Sequence, residues 1–182
     1  MLRRIIYGIL LLPHYIVYLK SKHINLINED IASFLCICKR SISYKDFSAA
    51  MQNMYFRSVF YNRIGSVYRF LSWYLPSDKT FIIDTKSIMG GVKPSHPFAT
   101  IIHAKSIGKN FSFRQCTTIG NKRDGENNKL PVIGDNVTLG ANVVIIGNVK
   151  IGNNVIIGAG AVVVKDIADN SIVVGNPVRK IN

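Results

Sequence analysis

Apolar residues recur at every sixth position through the second half of the chain: Ile133, Leu139, Ile145, Ile151, Ile157 and Val163. Four places after each stands a second small or branched apolar residue, namely Val137, Val143, Val149, Val155, Ala161 and Ile167. Glycine directly follows Ile133, Leu139, Ile151 and Ile157. Upstream, Ile101, Ile107, Phe113 and Ile119 keep the same step, and Ile82 and Ile88 begin an earlier turn. A fixed period of six matches neither an α-helix nor one alternating strand and is evidence about the whole architecture. It predicts a parallel β-helix of hexapeptide units, each a short strand plus a corner, with three units per coil and the repeated Ile/Leu/Val pointing inward. Asn136, Asn142, Asn148 and Asn154 suit corners that need positive φ or local side-chain bonding. Two intervals break the period: Ile82 to Ile101 spans 19 residues, and Ile119 to Ile133 spans 14 with the polar interior NKRDGENNK, which must protrude. Irregularities in a repeat are where sites are usually built.

The first half follows a different pattern. Residues 24–75 have no Gly before Gly65, and their apolar residues fall at steps of three and four, which predicts helices. Tyr55, Phe56, Phe60, Tyr61, Ile64, Tyr68 and Leu71 fall close to one helical face, with Arg57, Arg63 and Arg69 at its rim. Pro76-Ser77-Asp78 marks a boundary between a helical region, 1–77, and a β-helix domain, 78–182. Helices capping the open first coil are expected, because an exposed end invites edge pairing. The opening MLRRIIYGILLLPHYIVYLK is shorter than a bilayer span, is interrupted by Pro13-His14, and has no small-residue cleavage site after it. It reads either as a helix buried in an interface or as an interfacial helix with Arg3, Arg4, Lys20 and Lys22 near anionic headgroups.

Composition narrows the partners. The 48% hydrophobic content excludes disorder, and 23 Lys+Arg against 10 Asp+Glu give a net +13, which favours a polyanionic partner. The excess is spread over both halves, and no nucleic-acid motif accompanies the aromatics and arginines of residues 54–75, so nucleic acid is not expected. Cys36, Cys38 and Cys116 cannot form a closed disulfide framework and are expected to be reduced, buried thiols of a cytoplasmic protein.

HPFATII with SIGKNFSFRQCTTIGNK, IGDNVTLGANVVIIG, IGAGAVVVKD and the closing VVGNPVRKI together resemble the hexapeptide-repeat acetyltransferases with a left-handed β-helix. The similarity is greatest to the serine acetyltransferase branch and the related enzymes of surface-polysaccharide clusters. It covers about residues 78–182 strongly and extends weakly to 50–75. The fold it implies is mainly β, a left-handed parallel β-helix with an N-terminal α-helical region. The activity it implies is acetyl transfer from acetyl-CoA, without a metal, by a trimer whose sites lie between adjacent prisms.

By that resemblance His96 is the catalytic base, taking a proton from an acceptor hydroxyl as the oxygen attacks the thioester carbonyl. His103 is the rival histidine and is expected at a surface corner. The Asp that family members carry ahead of the histidine aligns with Phe81, so Asp84, the nearest carboxylate, either orients His96 or decorates a corner. Ala141, Ala159 and the Val164-Lys165 pair match positions along which the pantetheine arm lies, and Lys165, Arg179 and Lys180 suit the cofactor's phosphates. Ser95, Asn128 and Lys129 stand where serine acetyltransferases have acceptor-binding residues. The carboxylate and the Arg–His pair that would hold a serine zwitterion are both missing, so a sugar hydroxyl fits better than serine. Serine O-acetylation is the alternative, and a non-catalytic scaffold comes third. A metal-dependent β-helix enzyme is disfavoured, since the repeat half has only His96 and His103. The apolar, basic N-terminus favours a location at the inner face of the membrane.

Overall fold

The computed structural model describes residues 2–38, 41–126 and 128–181, with the side chains of residues 2–6 excepted, so those of Arg3 and Arg4 lie outside the described residues. Helix α1 (Leu2–Leu19) is followed by α2 (Ile24–Leu35), α3 (Tyr44–Met51), α4 (Met54–Ile64) and the single turn α5 (Tyr68–Leu71). Ser43 and Asp46 form a capping box at the start of α3, and the Asn53 side chain accepts from Tyr55 and Phe56 N–H to start α4. Gly65, at φ 62°, ends α4 and throws the following residues out of phase. Phe56, Phe60, Tyr61 and Leu71 therefore enter the helical core with Leu11, Tyr18 and Phe47, while Tyr68 stays outside.

The remainder is a three-faced parallel solenoid. Face A carries β1 (Phe81–Ile83), β3 (Thr100–Ile102), β6 (Thr118–Gly120), β9 (Val144–Ile146) and β12 (Val162–Val163). Face B carries β4 (Ser106–Ile107), β7 (Val132–Ile133) and β10 (Lys150–Ile151), extended at its ends by bridges at Ile88 and Ile167. Face C carries β2 (Lys93–Ser95), β5 (Ser112–Arg114), β8 (Thr138–Leu139), β11 (Ile156–Ile157), β13 (Ile172–Val174) and β14 (Arg179–Lys180). Five strands on face A mean five coils, and β14 turns back antiparallel to β13 at the far end.

The inward positions stack like on like, with Ile102, Ile119, Ile145 and Val163 in register on face A and Phe113, Leu139, Ile157 and Val173 together on face C. From Ile107 onward the six-residue period identifies these positions correctly, and Phe113, Ile119, Ile133, Leu139, Ile145, Ile151, Ile157 and Val163 are all buried. Ile88 is buried as well, but on the face A strands of the first two coils the period is one residue out. Ile82 and Ile101 are 49% and 45% exposed, and Phe81, Thr100 and Ile102 point inward instead. Strand alternation forces this, because Ile102, not Ile101, pairs with buried Ile119.

Corner chemistry holds the coils in register. Asn110, Asn136, Asn154 and Asn170 all have φ between 55° and 57°, at successive turns of the B-to-C corner. Each of the first three donates its amide to the next, at 2.9–3.0 Å. Asn142 shares the conformation at the C-to-A corner, whereas at the expected Asn148 corner it is the preceding Gly147 that takes positive φ.

Helices α2 and α4 close the open edge of the first coil. Buried Arg63 bonds both oxygens of buried Asp30, at 2.8 and 3.2 Å, and also donates to the carbonyls of Ile88 and Met89. Asp30 in turn accepts from Val92 N–H at 2.9 Å. Strand-edge groups that would otherwise lack partners are thereby satisfied by one buried ion pair. The three cysteines are free, as expected, but not buried: Cys36 and Cys38 are exposed and Cys116 is half-buried at a corner.

Candidate active site

The predicted site residues fall on two different edges of the prism. His96 lies at the C-to-A corner. Between Ser95, which pairs with Arg114, and inward Thr100 stand four residues, where the next coil has only Gln115 and Cys116 before Thr117. The extra residues make a bulge. His96 and Ala99 take φ of 51° and 50°, and Phe98 N–H donates to the His96 carbonyl at 2.8 Å. Buried Pro97 anchors the bulge, and the His96 ring is exposed, with no side-chain hydrogen bond among the described residues. A non-glycine residue held at positive φ is a strained conformation of the kind that clusters at functional sites.

Ala141 and Ala159 occupy successive coils of that same corner, where Gly160 N–H donates to the Ala141 carbonyl at 2.8 Å. The coils approach so closely that a Cβ built on Gly140 would stand 2.5 Å from Ala159 N, so only glycine fits there. Ser95, half-buried, ends the strand leading to His96. His96, Ser95, Ala141 and Ala159 are thus brought together on one edge.

Val164 and Lys165 lie on the A-to-B corner, across face A, and both are exposed. The protruding segment between β6 and β7 leaves from this corner and carries Asn128 and Lys129 into solvent, with Lys129 Nζ paired to Glu126 at 2.8 Å. Arg179 and Lys180 are exposed on β14. Asp84 is also on the A-to-B corner, apart from His96 within the protomer. The β1–β3 register sets Asp84 beside His103, whose Nδ1 is 2.9 Å from Asp84 Oδ2. His96 lies at the other end of the three-residue strand, roughly 10 Å away along face A. His103 is therefore not a plain surface corner. Its Nδ1 is held by Asp84, and its Nε2 is buried without a hydrogen-bond partner among the described residues. Sequence reasoning missed this pair because one extra residue in the first coil decides which side chains become neighbours.

Residues 131–165 match the family profile described as bacterial transferase hexapeptide (six repeats). A putative colanic acid biosynthesis acetyltransferase of Escherichia coli K12, WcaB, is 46% identical over 85 residues, covering 46% of this chain and 52% of that protein. A probable serine acetyltransferase 1 of rice is 41% identical over 90 residues, covering 49% of this chain and 30% of that protein. Serine acetyltransferase of Neisseria gonorrhoeae, solved with serine, superimposes with a TM-score of 0.68 at 25% identity, over 86% of this chain and 68% of that one. The Brucella abortus enzyme solved with coenzyme A gives a TM-score of 0.67 at 21% identity, over 86% of this chain and 66% of that one.

The fold is that of the hexapeptide-repeat acetyltransferases. The acetyltransferase fold extends through the helical region, since the structural match covers 86% of the chain. The sequence match is narrower, and the chain spans about half the length of the polysaccharide-type relative it matches.

Proposed function

We propose that the protein is an acetyl-CoA-dependent O-acetyltransferase that acetylates a sugar hydroxyl in surface-polysaccharide biosynthesis. The observation that carries this reading is the exposed His96, held at positive φ on the corner that also presents Ala141 and Ala159. His96 takes the acceptor proton as the hydroxyl oxygen attacks the acetyl carbonyl, and the thiolate of coenzyme A leaves. The pantetheine arm runs along the small-residue corner, where close backbone approach offers N–H and C=O groups, with Val164, Lys165, Arg179 and Lys180 serving the cofactor's outer parts. Ser95, Asn128 and Lys129 are the acceptor-side residues. Asp84 supports His103, not His96, within one protomer.

Two edges of the prism are required at once, which supports a homotrimer with each site between neighbouring prisms. An outward stripe on face A supports the same reading: Ile82, Ile101, Thr118, Val144 and Val162 stand in register between the two edges. The exposed apolar face of α1, with Ile9, Leu12, Ile16 and Leu19, supports peripheral contact at the inner face of the membrane. No helix among the described residues is long and apolar enough to cross a membrane.

Serine O-acetylation is the second reading, favoured by the match to the serine-bound structure. Release of coenzyme A thiol from acetyl-CoA, measured with a panel of sugars and with L-serine, separates the two. Sugar-dependent release is expected, and release with L-serine alone would overturn the sugar assignment.

A further inference from the structure

The acetyl-transfer reading leaves unused a cavity of about 750 Å³ in the helical region, lined by Tyr7 of α1, Tyr44, Lys45 and Ser48 of α3, Gln52 just after it, and Arg57 of α4. Its size is that of a small-molecule site. Arg57 is the unusual member. Six residues further along the same helix, Arg63 is saturated by Asp30 and two carbonyls. Arg57 Nε, by contrast, is buried without a hydrogen-bond partner, and no carboxylate lines the cavity, among the described residues. Its charge nonetheless reaches its neighbours: burial lowers the pKa of His14 and raises those of Tyr7 and Tyr61, and the Arg57 charge adds to the first and partly offsets the other two. A buried cationic donor lacking an acceptor is costly and is satisfied by a bound anion.

The other lining groups define the anion. Tyr7 donates its hydroxyl proton to the Met51 carbonyl and Tyr44 donates to the Gly8 carbonyl, so both are committed. Arg57, Lys45, Ser48 and Gln52 are left as donors, two of them cationic. That number suits the several oxygens of a phosphate better than the two of a carboxylate. The rings of Tyr7 and Tyr44 supply apolar wall, and the residues after the cavity on α1, Ile9, Leu10 and Leu12, are 48–61% exposed. We propose that this cavity binds an anionic amphiphile, its phosphate head on Arg57 and Lys45 and its alkyl part leaving along the exposed face of α1.

Isothermal titration of the full chain with monomeric dihexanoyl phosphatidic acid, inorganic phosphate and dihexanoyl phosphatidylcholine tests this. Phosphatidic acid is expected to bind at least about tenfold tighter than either of the others, and Arg57→Gln to weaken it roughly ten- to hundredfold. Lys45 is exposed, so Lys45→Glu preserves folding and carries the test if Arg57→Gln disturbs it, with a loss of at least severalfold expected. Equal binding of inorganic phosphate would make the ligand a free anion and overturn the amphiphile. Equal binding of phosphatidylcholine would overturn the role of the cations. No binding, or binding indifferent to both substitutions, would overturn the site. None of these readouts depends on acetyl transfer, so either proposal can fail without the other.

Discussion

Replacing Arg63 with Met should loosen the whole helical cap from the solenoid. The substitution keeps an unbranched side chain but removes every donor. Asp30 is then left as a 1%-exposed carboxylate with only the backbone N–H groups of Gly91 and Val92, and the Ile88 and Met89 carbonyls lose their partners. Breaking a buried ion pair from one side costs about 3–5 kcal/mol, because the remaining charge is stranded in a poor solvent. For a chain of this size, about 2–4 °C per kcal/mol converts this to a fall in Tm of roughly 6–20 °C. Thermal and denaturant unfolding followed by circular dichroism measure it. The double variant Asp30→Leu/Arg63→Leu should recover part of the loss, since no charge is then stranded. Recovery stays incomplete, because two carbonyls and the Gly91 and Val92 N–H groups still lack partners. A loss below about 1 kcal/mol in Arg63→Met would refute the reasoning, as the pair would then be solvated or replaceable.

Other consequences follow from single features. Buried His14 bonds Tyr61 through Nε2 and Tyr74 through Nδ1, and burial with the Arg57 charge holds its pKa down to about 4 from 6.5. The unfolded chain binds the proton more readily, so this contribution, on the order of 3 kcal/mol, is complete above about pH 6.5 and is lost as pH falls toward 4. Urea midpoints across that window should fall with pH, and much less so in His14→Gln. Asn136→Ala should cost about 1–3 kcal/mol, since alanine tolerates positive φ poorly and the amide ladder is cut. Asn136→Gly, which relieves the backbone, should cost clearly less by the same denaturation assay. Gly140→Ala should force the coils apart at the Ala159 corner and raise the KM for acetyl-CoA more than it lowers kcat, by initial-rate kinetics with acetyl-CoA varied.

The solenoid was legible because each coil must place an apolar side chain inward at every strand, and nothing else repeats at six. Phase was not legible in the first coils, where both Ile101 and Ile102 are apolar and only the pairing of Ile102 with Ile119 distinguishes them. Helices and their place over the open first coil were legible, but the ion pair that fastens them there was not. Asp30 and Arg63 are 33 residues apart, and neither carries a mark in the sequence that it is buried. Of the site, His96 came from resemblance and is found at a corner bulge. The sequence leaves Asp84 between orienting His96 and decorating a corner, because sequence proximity to a histidine says little in a fold where neighbours lie one coil apart. The thiols at Cys36 and Cys38 were expected inside and are outside, since they follow the end of α2, where the chain turns away from the core.

The most direct test compares His96→Ala with His103→Ala in coenzyme A thiol release, using the acceptor that supports the fastest wild-type turnover. If His96 is the base, His96→Ala should lower kcat by roughly 10²–10⁴-fold while His103→Ala stays within about tenfold of wild type. Loss of turnover in His103→Ala with His96→Ala still active would move the chemistry to the Asp84–His103 pair and contradict the account.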